Sequence, residues 1–442
     1  MAGSLRRCLG PVAVSAQAMG TVGLTLTAVF NIPEAMRSAG EATWISYGLA
    51  LLLMLLVGET LVLFRHLPGS PTGIASYAAA GLGPRAGAVA SWMLLLGYGP
   101  MLMGCLVFFA YFLQQLLGHL GWHGPALLAY LLGALICLEL ARRDVELSTR
   151  TMLLTEMVSV LIILSLTAQI VFAGWGAADL RALDPFADSP AQVRAGLMVA
   201  VLSFLGFESA ANLGCEALHP ERAIPLGIRT ALLSAGVLFM VWGAFLPEGL
   251  AWLPTATRQG LDPLSALADN LGRPGAGLWI KVGAMLCLFG SSIGALTALA
   301  RLTYGLAEQR VLPGRLASVH PRYGTPARGL LALGLPMVAG GALVVLNQLS
   351  INQIFGLFGG FTVLSFLGVY ALVALSSLKV ELPGNSRKRQ LIVGGGCLLA
   401  VIAMLLAYLS GVPSEQHTML LTFVLLVLVG SMRVWHRVTP SN

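Results

Sequence analysis

Apolar runs of about 18 or more residues recur along the whole chain, each long enough to cross a hydrocarbon core of ~30 Å as a helix. They read as spans near 12–32, 43–64, 87–117, 124–141, 150–173, 193–213, 229–252, 276–305, 328–347, 353–378, 390–410 and 417–435. This predicts an all-α integral membrane protein of about twelve helices. With 57% apolar and 10% charged residues and a mean hydropathy of +0.83, a soluble globular chain is excluded, since charged residues there approach a quarter. Residues 1–30 imitate a signal peptide, with Arg6 and Arg7, an apolar stretch and Ala16-Gln17-Ala18. The polytopic pattern that follows makes this stretch the first span instead.

The net charge of +7 follows from topology. With both termini placed inside, 20 of the 26 Lys and Arg fall in inside segments. Arg301, Arg310, Arg315, Arg322 and Arg328 belong to one of these segments, and Lys379, Arg387, Lys388 and Arg389 to another. Such a bias over short loops fixes the orientation, with both termini cytoplasmic. It removes the reason to invoke a nucleic-acid partner; the partners expected are the lipid bilayer and a small-molecule substrate.

Two of the apolar runs contain short glycine-broken stretches, Ala18-Met-Gly-Thr-Val-Gly23 and Ser203-Phe-Leu-Gly-Phe-Glu-Ser-Ala210. The second holds Glu208, and an ionisable group inside an apolar run is costly enough to mark a functional site. Interrupted segments at corresponding places in two halves of a chain point to the binding site of a secondary transporter. Five spans from the first break to the second give a five-span unit used twice. An odd number of crossings puts the second copy in upside down. The repeats are placed at about 11–175 and 192–378, with two extra helices at about 389–436 and no soluble domain. The longest polar stretches are 174–192 and 253–275 outside, and 306–327 inside.

Four strings carry a family resemblance. SPTGIASYAAAGLGPRAG (70–87) resembles the loop between the second and third helices of the amino acid–polyamine–organocation permeases. VELSTRTMLLTEMVSVLIIL (145–164) is similar to the start of their fifth helix. FLGFESAANLGCEALHPERAIPLGIRTAL (204–232) resembles their sixth helix and the loop after it. ARLTYGLAEQRVLPGRLASVHPRYGTPARG (300–329) resembles the end of their eighth helix and the segment beyond. Together the strings span about the first 380 residues in family order. The resemblance implies the five-plus-five inverted-repeat fold of bacterial leucine transporters, with helices 1 and 6 unwound, and transport of amino acids or related amines by alternating access.

The resemblance also assigns residues. Met19, Gly20, Thr21, Val22 and Gly23 stand where the first helix opens, with Val22 in place of the family's second glycine. Amides freed there suit a substrate carboxylate, helped by the partial positive charge of a half-helix N-terminus. Leu202, Ser203, Phe204, Leu205, Gly206 and Phe207 form the second break, whose carbonyls suit an ammonium; the gate is Leu202, Phe204 or Phe207. Tyr98 stands where the family has a tyrosine facing the site. Glu208 reads either as a protonatable coupling residue or as a carboxyl tying the sixth helix to its neighbours. Many sodium-independent permeases place a lysine on the fifth helix, and Ser159 occupies that position here. Ser291 and Ser292 match the hydroxyl pair that holds sodium in coupled relatives, or serve as interhelical glue.

Of the other carboxylates at membrane depth, Glu59 is expected to bond helix ends, and Glu156 to snorkel or pair with Arg150. The six cysteines and seven histidines have no metal-ligand spacing, so no cofactor is expected beyond a coupling proton or sodium ion. No nucleophile–base constellation supports a membrane enzyme, and a channel would not need the paired breaks. The leading function is a permease for an amino acid or small zwitterion, proton-coupled or exchanging, in a bacterial inner (plasma) membrane. The alternatives are a carrier of polyamines or basic amino acids, with Glu208 and Glu156 as counter-charges, and a sodium-coupled symporter.

Overall fold

The computed structural model describes residues 5–174, 189–258, 262–271, 275–349, 351–411 and 416–438. Most of the polar stretch 174–192 and parts of 253–275 thus lie outside the described residues. The long helices are α1 (Pro11–Ala39), α2 (Thr43–Leu63), α3 (Pro84–His119), α4 (Ala126–Arg143), α5 (Val145–Ala173) and α6 (Pro190–Leu213). They continue with α7 (Pro220–Ala251), α8 (Ala276–Glu308), α9 (Ala327–Leu346), α10 (Phe355–Lys379), α11 (Arg387–Ser410) and α12 (His417–Arg437).

Eleven of these are long and apolar enough to cross a membrane among the described residues. The exception is α4, whose 18 residues include Glu139, Arg142 and Arg143. Those charges pair at its end, with Glu139 bridged to Arg142 at 2.8 Å and to Arg143 at 2.7 Å. It holds the place of the twelfth span with its charges gathered in one terminal turn.

Local sequence explains where the helices begin. Prolines at the first turn open α1, α3, α6 and α7, positions where the missing N–H has no helical partner to lose. At α6 this is reinforced by a capping box between Ser189 and Gln192, which satisfies two orphan amides reciprocally.

The packing is graded. The most apolar window of α6 is 83% buried and that of α1 72%, against 22% for α12 and 28% for α9. The first half of α1 packs against α5, α7, α8 and the end of α6, while α9, α11 and α12 turn leucines such as Leu335, Leu399 and Leu425 outward. In lipid an unpaired backbone group costs several kcal/mol, so irregular helices survive only inside protein. The two helices that break are therefore among the most enclosed. Their breaks lie five spans apart.

Candidate functional site

The α1 break is narrower than the sequence suggests. The helix continues through Met19, Gly20, Thr21 and Val22, and the chain turns left-handed at Gly23 alone, with φ 68° and ψ 68°. A Cβ at Gly23 would stand 2.6 Å from the Ser291 hydroxyl. Helix resumes at Leu24, widens into a π turn over Thr27–Asn31, and continues from Ile32. Gly20 is helical, and its face packs on Met152 of α5.

In α6 the helix ends at Phe204. Leu205 is extended, Gly206 has φ 111°, and a 3₁₀ turn covers Phe207–Leu213. A Cβ at Gly206 would come within 2.9 Å of the Thr21 carbonyl oxygen. The α6 break thus touches the last helical turn before the α1 break, and only glycine lets the backbones approach so closely. The Ser209 hydroxyl bridges from α6 to the Gln17 carbonyl (3.3 Å) and the Thr21 hydroxyl (3.1 Å). Gln17 Nε2 in turn donates to the Gly294 carbonyl of α8 at 3.1 Å.

Glu208 is 1% exposed. Its Oε1 accepts from the Tyr98 hydroxyl of α3 at 2.6 Å, and its Oε2 from the Tyr370 hydroxyl of α10 at 2.7 Å. Oε2 also accepts from the freed Gly206 amide at 3.1 Å. One carboxyl thus pins the break to two neighbouring helices. Hydrogen bonds of 2.6 and 2.7 Å lie within the normal range for hydroxyl donors.

A cavity of about 90 Å³ lies where α1, α3, α6 and α10 meet, lined by Val22, Leu26, Phe108, Leu202, Leu205 and Phe358 among others. The lining includes a second π turn, Phe355–Gly359, and π turns inside helices concentrate at functional sites. Its polar side chains are Asn31, Ser203 and Thr362. Asn31 Nδ2 donates to the Ser203 hydroxyl at 2.8 Å, and Tyr47 shares that hydroxyl at 3.1 Å. Among the described residues no Asp, Glu, Lys or Arg lines it.

Towards the N-terminus the segments are tied together. The Cys8 and Leu9 amides both donate to the Glu216 carbonyl at 2.9 Å. The Glu216 side chain, 1% exposed, is paired with Arg301 of α8, 2% exposed, whose Nη2 donates at 2.8 Å. On the other side Phe30 stacks on Phe108 with ring centroids 4.7 Å apart.

Of the residues singled out in the sequence, Val22, Leu202, Ser203 and Leu205 line the cavity. Met19, Gly20 and Thr21 face other helices. Phe204 packs on Phe239 and Phe207 on Tyr370, so neither lines the cavity. The aromatic rings that do are Phe108, Phe355 and Phe358, which local sequence gave no reason to choose. The FGLFGG run at 355–360 was the available signal.

The amides freed in α1 already have partners. Thr25 N–H donates to Glu156 Oε1 of α5 at 3.3 Å, and Leu26 N–H to Cys287 Sγ of α8 at 3.3 Å. Ser159 receives the Thr25 hydroxyl at 3.0 Å and donates to the Glu156 carbonyl. Ser291 donates to the Gly20 carbonyl at 2.9 Å, while Ser292 turns back to Leu288 within α8. Glu156 does not pair with Arg150, which bridges Glu146 instead; Glu156 is 2% exposed and points across to α1. Glu59 joins helix ends as expected, bonded to Arg229 at 2.6 Å and to Arg389 at 3.3 Å.

Comparison with known proteins agrees with this geometry. A family profile described as amino acid permease matches residues 9–429. The methylthioribose transporter of Bacillus subtilis (strain 168) is 25% identical over 401 residues, 87% of this chain and 84% of its own. The low-affinity putrescine importer PlaP of Escherichia coli (strain K12) is 27% identical over 322 residues, 70% of this chain and 69% of its own. The crystal structure of MhsT in complex with L-phenylalanine superposes with a TM-score of 0.59 at 14% identity, covering 92% of this chain and 100% of that one. The last likeness concerns fold alone, that of the leucine-transporter type with broken first and sixth helices. The chain belongs to the amino acid permease family of the amino acid–polyamine–organocation superfamily and is a secondary transporter of amino acids or amines.

Proposed function

We propose that this permease carries a small zwitterion, an amino acid with a neutral side chain fitting best, by alternating access. It works from a bacterial inner (plasma) membrane with both termini in the cytoplasm, as the distribution of Lys and Arg favours. The observation that carries this reading is that no charged side chain among the described residues lines the cavity at the two breaks. At about 90 Å³ it is well below the ~300 Å³ of sites for drug-sized ligands, so it suits a small solute or the closed phase of a site that opens. Its apolar walls suit an apolar side chain, and the bonded Asn31–Ser203 pair offers polar groups beside the α6 break.

A polyamine or basic amino acid needs a carboxylate facing it. Glu208 is enclosed by Tyr98, Tyr370 and Gly206, and Glu156 faces the α1 hinge and α8. Neither lines the cavity, which argues against the organic-cation alternative. An uncharged solute of the methylthioribose type also meets no charge mismatch there and belongs in the same test.

That test is a thermal-shift screen of detergent-purified protein against neutral, acidic and basic L-amino acids, putrescine and methylthioribose. A ligand at a hundred times its dissociation constant adds about 2.7 kcal/mol to stability. Neutral amino acids should stabilise the protein. Stabilisation by putrescine or arginine alone would contradict the reading of an uncharged site.

A further inference from the structure

The geometry points to Glu156 as the residue that binds and releases a coupling proton, acting on the α1 hinge at Gly23. This deepens the proposed transport function and rests on it.

Glu156 is a buried carboxyl in mid-membrane, and its Oε2 has no hydrogen-bond partner among the described residues. Its neighbours are the amides of Leu24 and Thr25, immediately after the left-handed Gly23, and the Cys287 thiol, whose sulfur lies 3.8 Å from Oε1. No cation stands among them. Of the elements packed here, α8 contributes Cys287 as the titratable group facing the carboxyl, and α1 from Pro11 to Leu26 contains none. The charged groups of α4 and of the start of α5 pair with one another, Glu139 with Arg142 and Arg143, and Glu146 with Arg150. On α7, Arg229 is bound to Glu59. The carboxyl therefore faces backbone amides and a thiol, with Oε2 enclosed but unpartnered.

These surroundings select the cation. A sodium ion wants several oxygen ligands around it, yet the groups bonded to this carboxyl are two amide N–H groups and a thiol. The hydroxyls nearby, Thr25, Ser159 and Ser291, are bonded to one another or to backbone carbonyls. The start of a half-helix adds positive potential, which suits an anion. A proton needs only the open lone pair of Oε2. In the ionised state the carboxylate holds the Thr25 amide and anchors the second half of α1 to α5. Protonation removes the charge from that contact and frees the half-helix to rotate about Gly23. Glu208 lacks this freedom, since donors from three segments satisfy both of its oxygens.

The test is Glu156→Gln in proteoliposomes, using a mixture of radiolabelled neutral L-amino acids as probe. Glutamine can still accept from the Thr25 amide, so a purely structural cap survives the change while a proton carrier does not. Exchange at equal pH on both sides should persist within about twofold, whereas accumulation driven by an imposed pH gradient should fall by about tenfold for each pH unit imposed, the driving force that one coupled proton carries. Glu156→Asp, which keeps a titratable group, should recover part of the accumulation. Gradient-driven accumulation by Glu156→Gln equal to wild type would overturn the proposal, as would wild-type accumulation driven by sodium alone. Absence of exchange in the wild type would instead contradict transport of neutral amino acids. Should Glu156→Gln fail to fold, the wild type decides: dicyclohexylcarbodiimide attacks protonated carboxyls in apolar surroundings. Peptide mass mapping should show Glu156 modified increasingly as pH falls; an unmodified Glu156 throughout the pH range of uptake would overturn the assignment.

Discussion

Replacing Gly206 with alanine perturbs the contact on which the site is built. The residue sits at φ 111° and ψ −16°, where a non-glycine residue pays about 1–3 kcal/mol in backbone strain. The added Cβ would also stand 2.9 Å from the Thr21 carbonyl oxygen and 3.0 Å from its carbon and Cγ2. Restoring ordinary contact requires a shift of a few tenths of an ångström, and overpacking of this kind costs about 1–3 kcal/mol. Thr21 has little room to give, since its hydroxyl is bonded to both Gln17 and Ser209. One backbone shift relieves both terms in part, so the combined cost is about 2–4 kcal/mol rather than their full sum. The Gly206 amide would also be drawn off Glu208. Melting of detergent-purified protein, followed by scanning fluorimetry, reports the stability, and exchange in proteoliposomes reports the function. Gly395→Ala, in the helical interior of α11 with nothing within 4 Å of the new methyl, is the control and should be neutral or stabilising by about 0.5–1 kcal/mol. A Gly206→Ala protein that melts and exchanges like wild type would refute the contact of the α6 break with the last helical turn before the α1 break.

Other substitutions separate the roles of neighbouring residues. Gly20→Ala should be tolerated far better than Gly206→Ala in the same melting assay, because the nearest atom, at 2.7 Å, is the flexible methyl end of Met152. Tyr98→Phe and Tyr370→Phe should each lower stability by about 1.5–3 kcal/mol, and a double-mutant cycle of melting should show them coupled through Glu208. Glu208→Gln should reduce stability and transport rate while leaving the pH profile of uptake in vesicles unchanged, as fits a clasp. Arg301→Met, which leaves Glu216 charged and buried, should destabilise by about 3–5 kcal/mol, and adding Glu216→Leu should restore part of the loss.

The spans were legible because apolar runs of bilayer length have few other uses. The broken helices were legible from their glycines and from Glu208, a carboxyl with no local reason to sit in an apolar run. What the sequence hid was pairing between distant residues. Glu156 lies near Arg150 in sequence, which suggested a local pair, yet its partner is an amide 131 residues away. Tyr98 stood out by resemblance, but nothing local connects it with Tyr370. Glycine content marked residues 18–23 as broken, whereas a single left-handed Gly23 suffices because the rest of the segment keeps its helical bonds. Phe355 and Phe358 were missed because a π turn leaves almost no compositional trace, and the FGLFGG run reads equally well as helix packing. Of the two serines on α8, orientation separates Ser291, facing α1, from Ser292, bonded within its own helix; spacing alone treats them as a pair.

The claim that substrate is held where the two breaks meet is tested most directly by counterflow with Gly104→Leu. In the folded protein Gly104 lines the cavity and a Cβ there would reach ordinary contact with Phe358 at 3.5 Å, so the rest of a leucine side chain takes up cavity space. Proteoliposomes preloaded with unlabelled neutral L-amino acids and diluted into a labelled trace should show a saturable overshoot with wild-type protein. With Gly104→Leu the overshoot should vanish while the melting temperature stays near that of wild type. An undiminished overshoot in that variant would place the substrate elsewhere.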